Sequence, residues 1–344
     1  MSQGRKVYLE AIRIIAIWLV IFNHTDGFIY YTTTDNWLTW LYSIVLSAIC
    51  RTAVPLFLMI SGALLLGKEE SFKTLFCKRV LRIVLVLVVF SALYYLLDVA
   101  NNRISDAGVV DFLTRLLNSD KRLRESFWFL YAYLFFLLSL PLLRKLASGL
   151  NETLIIYMIC LKGINDLVLP FLNGMYGIVV SFDIKIICDY IYYGFMGYYL
   201  THMGETTLKR ISKRRLCVYL GILVILSIGI VQLLYLKMGI YVPSNFDMLL
   251  FLMTPILWLL IRGITESLPE DSRINSLIVS IGSCTFGIYL LDNFVRWQFL
   301  SIYVYLSEHT VGVFANSVYV VLVFVIGGIY TWILKKIPIL KKCL

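Results

Sequence analysis

Charge is scarce in this chain. Only 15% of its 344 residues are Asp, Glu, Lys or Arg, where a soluble globular domain carries roughly 25%. The deficit runs along the whole length, which excludes a string of water-soluble domains. Histidine occurs three times, and the seven cysteines include no CxxC pair, so neither a metal site nor a disulfide framework is expected. The hydrophobic stretches lack apolar–polar alternation, which argues against a transmembrane barrel. No internal repeat and no soluble domain at either end is visible, so residues 1–344 read as a single transmembrane domain.

What is present is apolar. Hydrophobic residues make up 60% of the chain and the mean hydropathy is +0.83. Runs near 20 residues recur, each long enough to cross a hydrocarbon core of about 30 Å. Lipid offers no water to spare backbone groups, so such runs must be helical. The expected fold is an all-α polytopic bundle with ten spans, at about 8–30, 38–66, 82–100, 127–147, 152–171, 184–203, 216–236, 245–263, 276–300 and 311–334. Arg51 and Pro55 interrupt the second run and predict a kink or partial break there. The segment from Asn101 to Glu125 reads as the longest polar loop.

Twenty Lys and Arg fall in the loops on one side and six on the other. The basic loops stay in the cytoplasm, which places both termini inside. The same rule accounts for the net charge of +10 without a nucleic-acid partner.

Ionisable residues inside spans are costly and are functional candidates by default. Arg13 and His24 lie on the first helix, eleven residues apart. That is about three turns and some 16 Å, and it returns both to one face. Arg13 has a local alternative in Glu10 at i−3, and His24 has one as an interhelical hydrogen-bonder. Lys78, Arg79 and Arg82 open the third span. Two guanidinium groups three residues apart suit phosphate or pyrophosphate recognition, or serve only as a membrane anchor. Arg51 sits about mid-membrane and needs a carboxylate, carbonyls or water. Asp292 is buried in the ninth span with Arg296 at i+4. Asp292 and His24 each lie sixteen residues into outward-running helices, so they share a depth. An Asp–His pair at that depth orients an imidazole and raises its basicity.

These segments together resemble the acyltransferase-3 family of bacterial integral-membrane acyltransferases. "LEAIRIIAIWLVIFNH" resembles its opening signature at Arg13 and His24, and "RTAVPLFLMISGALLL" its second helix with Arg51, Pro55, Ser61 and Gly62. "KRVLR" matches its Arg-x-x-Arg motif at Arg79 and Arg82. "FWFLYAYLFFLLSLPLL" with Trp128, "GFMGYYL" around Gly197 and "CTFGIYLLD" around Tyr289 resemble later segments. Many members have His where this chain has Asp292.

The resemblance implies transfer of an acyl group, often acetyl, from cytoplasmic acyl-CoA to a hydroxyl on an extracytoplasmic glycan, glycolipid or related molecule. It implies residence in the bacterial cell membrane and no permanently bound cofactor. His24 is then the catalytic candidate, as a base or a transient acyl carrier, while Asp292, paired with it above on matched depth, departs from the family pattern. Lys78, Arg79 and Arg82 would hold the CoA phosphates, Arg13 and Arg51 would line the route, and Trp128 and Tyr289 complete the substrate-binding candidates. The competing reading is a transporter or flippase whose buried charges form a solute path.

Overall fold

The computed structural model describes residues 6–25, 30–104, 107–118, 125–179, 188–203, 211–269, 272–338 and 340. Among them every regular element is a helix. The chain divides into two compact units, one formed by Met1–Leu64 and Gly149–Ile333, the other by Leu65–Ser148 and Leu334–Leu344.

The first unit opens with α1 (Val7–His24), α2 (Trp37–Cys50) and α3 (Ala53–Leu65). Asn36 starts α2 by accepting from the Thr39 backbone N–H at 3.1 Å, which satisfies one orphan donor of the first turn. Helices α2 and α3 are separated by a turn at Arg51 and Thr52, where the sequence predicts a break. Pro55 has no N–H to continue the ladder across it.

The second unit carries α4 (Leu81–Ala100), α5 (Val109–Leu117) and α6 (Trp128–Ala147). A π-helical turn, Leu75–Val80, leads into α4, so the third span begins at Phe72 and not at residue 82. The expected polar loop contains α5, whose Val109, Val110, Leu113 and Leu117 are exposed while Asp111 pairs with Arg115. Such a one-sided helix suits the membrane surface.

The first unit resumes with α7 (Glu152–Lys162), a π turn (Gly163–Val168), α8 (Leu169–Tyr176), α9 (Asp189–His202) and α10 (Lys213–Met238). Gly239 ends α10 at φ +72°, a left-handed conformation that favours glycine. A 3₁₀ segment (Pro243–Leu249) feeds α11 (Leu250–Thr265). Then come α12 (Arg273–Gly282), α13 (Thr285–Gln298), α14 (Leu300–His309) and α15 (Gly312–Leu334).

Eight described helices are long and apolar enough to cross a membrane, or nine if α12 and α13, bent by 57°, form one span. Ten spans were expected. The missing one, 184–203, is represented by α9, a 14-residue helix too short to qualify. Its residues 184–187 lie outside the described ones, as do the loop residues Arg5, Lys121, Arg122, Arg124, Lys209, Arg210, Lys341 and Lys342.

Helices α3 and α9 meet backbone to backbone. A Cβ on Gly62 would lie 1.9 Å from the Gly194 carbonyl oxygen, and one on Gly197 would lie 2.0 Å from that of Met59. Small residues allow this approach, which lipid-embedded helices use in place of a hydrophobic driving force.

Candidate active site

His24 is the last residue of α1 and Asp292 lies inside α13. The structure brings them together, with His24 Nδ1 2.5 Å from Asp292 Oδ2. Asp292 is 0% exposed, while the imidazole keeps a solvent-reachable edge at 22%. The matched depth read from the sequence therefore corresponds to a hydrogen-bonded pair.

Arg296, at i+4 on the same helix, also approaches Asp292, but only to 3.8 Å through Nε. Its Nη1 instead donates to the backbone carbonyl of His24. Consecutive turns of α13 thus grip His24 twice, Asp292 by the ring and Arg296 by the main chain. Tyr319 braces this grip by donating to the Arg296 carbonyl at 2.5 Å. Around it, Asn316 Nδ2 donates to Thr25 Oγ1 at 2.9 Å, and Tyr42 donates to Asn316 Oδ1 at 3.3 Å. These bonds satisfy polar groups that a membrane interior would otherwise penalise.

With Nδ1–H donated to a carboxylate, the imidazole carries its lone pair on Nε2. Among the described residues Nε2 has no hydrogen-bond partner. A neutral imidazole so held can accept a proton from a hydroxyl, and the carboxylate beside it stabilises the imidazolium that results.

Arg13 shares the face of His24 but takes its local option, donating to Glu10 at 2.6 Å. Glu10 packs beneath Gly282 at the bend before α13, where a Cβ would come 2.5 Å from Glu10 Oε2. Arg51 finds a carboxylate at the edge of ion-pair range, Asp247 at 4.0 Å. Tyr289 is buried in α13, stacked at 6.4 Å on Phe286.

In the second unit Arg79 and Arg82 differ in exposure. Arg82 and Lys78 are exposed, and Arg79 is partly buried, its Nε donating to both oxygens of Glu70 at 3.0 and 2.9 Å. Arg144 joins them, donating to Glu70 Oε2 at 2.9 Å and to the Leu65 carbonyl at 3.0 Å. The two guanidinium groups hold the Glu70 carboxyl down at about 2, against an ordinary 4.5. Arg79 keeps its two terminal nitrogens without a hydrogen bond among the described residues, an open edge suited to an anion. Trp128, at the start of α6, is about half exposed and meets Phe129 edge to face at 6.2 Å.

A family profile described as an acyltransferase domain matches residues 6–335. The chain belongs to the acyltransferase-3 family. It is accordingly a membrane acyltransferase, and the match covers both compact units. No curated protein and no solved structure is significantly similar to it.

Within this acyltransferase, sequence reasoning passed over Glu70, which binds Arg79, Arg144, which binds Glu70, and a second ionic group around Lys162. Lys162 and Asp166 are four residues apart within one apolar run, the same signal that singled out Arg13 and His24. Glu70 and Arg144 are 74 positions apart, and only the folded unit joins them. Among the described residues no group of three or more His, Cys, Asp or Glu is placed to hold a metal.

Proposed function

We propose that this acyltransferase moves an acyl group, acetyl by preference, from cytoplasmic acyl-CoA to a hydroxyl of an extracytoplasmic glycan or related envelope molecule in a bacterial cell membrane. The observation that carries this reading is the buried Asp292 carboxylate 2.5 Å from His24 Nδ1, with the opposite ring edge open. A sugar hydroxyl is a poor nucleophile until its proton has somewhere to go. His24 Nε2 takes that proton as the hydroxyl oxygen attacks the thioester carbonyl. The carbon–sulfur bond then breaks, and the departing thiolate receives the proton back as free CoA. Asp292 fixes the ring tautomer and offsets the transient positive charge. Arg296 holds the His24 main chain, so the ring cannot swing away with the end of its helix.

On the donor side, Arg79, Arg82 and Lys78 are assigned to the CoA phosphates, with Glu70 and Arg144 fixing the orientation of Arg79. Arg13 and Arg51 are assigned to the polar route for the acyl group. Purified protein in lipid nanodiscs, given acetyl-CoA and envelope glycan extract, should release free CoA thiol and place base-labile esters on the glycan. A transporter would release no thiol, and that result would remove the enzymatic reading.

A further inference from the structure

A second ionic centre lies in the first unit, away from the His24–Asp292 hydrogen bond. Lys162, only 3% exposed at the end of α7, donates to Asp189 Oδ1 and pairs with Asp166 Oδ2, both at 2.6 Å. Its ammonium also lies 5.9 Å above the Tyr192 ring. Asp247 lies 4.0 Å from Arg51, and its 3₁₀ segment packs against the π turn that carries Asp166. A methionine at Lys162 would pack into a span without the desolvation penalty that a buried ion carries.

The backbone is irregular at each of these positions. Arg51 sits in the break between α2 and α3, and Asp166 lies in the π turn Gly163–Val168. Asp189 begins α9, and Asp247 belongs to the 3₁₀ segment Pro243–Leu249, which packs against both the π turn and α2. Broken helices at membrane depth persist where they line protein or a watery space, and π turns cluster at functional sites. The four interruptions gather Lys162, Asp166, Asp189, Asp247 and Arg51 into one charged group.

The group connects to the catalytic pair. Cys50, next to Arg51, donates its thiol to Asn23 Oδ1 at 3.6 Å, and Asn23 precedes His24.

From this placement we propose that Asp189, Asp247 and Arg51 form the subsite for the body of the acceptor, a neutral polyhydroxylated molecule whose reacting hydroxyl reaches His24. The inference rests on the acyl-transfer reading and names its acceptor side. Lys162 is already doubly paired and serves as the fixed floor. The groups left to a ligand are Asp189, 60% exposed, Asp247, 47% exposed, and Arg51, whose nearest carboxylate is 4.0 Å away. Two carboxylates and one guanidinium offer acceptors and donors together, which matches hydroxyls that do both. Three carboxylates against two cations leave the set with excess negative charge, which disfavours phosphorylated or carboxylated acceptors.

The test uses Asp247→Asn and Arg51→Gln, singly and together, because both side chains are partly exposed and neither pairs with the buried Lys162. Ester content of envelope glycans is measured by NMR in cells carrying each variant, the intact gene or none. CoA binding and thermal unfolding are measured on the purified proteins. The double variant should lose glycan esters roughly ten-fold or more, as for lost hydrogen bonds to charged groups, with CoA affinity and unfolding temperature unchanged. Asp247→Glu should recover part of the signal. Wild-type ester levels in the double variant overturn the subsite, and so does ester loss accompanied by a lowered unfolding temperature. Identical glycans with and without the gene overturn the acyl-transfer reading itself, and the subsite falls with it.

Discussion

At the scale of single residues, the site depends on how one imidazole is held. If His24 and Asp292 act as a unit, His24→Ala abolishes transfer and leaves CoA binding intact. Asp292→Asn lowers the rate without abolishing it, and adds little to His24→Ala, because the members of a catalytic unit are not additive. Rates of the two single variants and the double variant decide this, and multiplicative losses would mean independent roles. On the donor side, Arg79→Ala and Arg82→Ala should each weaken CoA binding by about 1.5–3 kcal/mol, the range for hydrogen bonds to charged groups. Titration of purified protein with CoA checks it, and an unchanged affinity in the double variant returns both residues to a membrane anchor. His24, Asp292 and Arg51 were legible in the sequence because a charge in an apolar run is conspicuous and helical rise fixes its depth. The grip of Arg296 on the His24 carbonyl was not, since backbone partners leave no residue-type signal. Nor was the engagement of Arg79 by Glu70, which depends on how residues 65–80 turn back on themselves.

At the scale of elements, hydropathy located the long helices but not their irregularities. The break at Arg51 was readable from a charge and a proline. The π turns Leu75–Val80 and Gly163–Val168 and the 57° bend after Gly282 were not, because each inserts or redirects backbone without changing the apolar pattern. Helix α5 hid in a segment that reads as polar because its charges are counted more readily than its four exposed apolar side chains. The approach of α3 to α9 yields a direct prediction. A methyl group at Gly62 or Gly197 would sit inside contact distance of a backbone oxygen that cannot rotate away. Gly62→Ala and Gly197→Ala should each destabilise by about 3 kcal/mol, the upper part of the usual overpacking range. Thermal unfolding in detergent measures it, and a wild-type unfolding temperature for either variant would contradict the close approach.

For the whole molecule, two predictions concern sidedness and acid. Cysteines placed after residues 33, 110 and 241 should react with a membrane-impermeant thiol reagent from outside, and those after 70, 148 and 268 only from the cytoplasm. Reaction at 70 from outside would put the Arg79 group on the wrong side for CoA. The Glu70 carboxyl is held near 2 in the folded unit and near 4.5 when free. The unfolded chain therefore binds the extra proton first, so the stability Glu70 contributes is whole above pH 4.5 and drains away as pH falls towards 2. Melting curves of wild type and Glu70→Gln should differ most at pH 6–7 and converge on acidification, and a gap independent of pH would show that the charge is not what matters. A last consequence follows from the bare-backbone contact between α3 and α9. Helices separated by side chains slide past one another as rotamers yield, but two main chains touching at Gly62–Gly194 and Met59–Gly197 have nothing to yield. Translation is barred, and the freedom that remains is scissoring about that crossing.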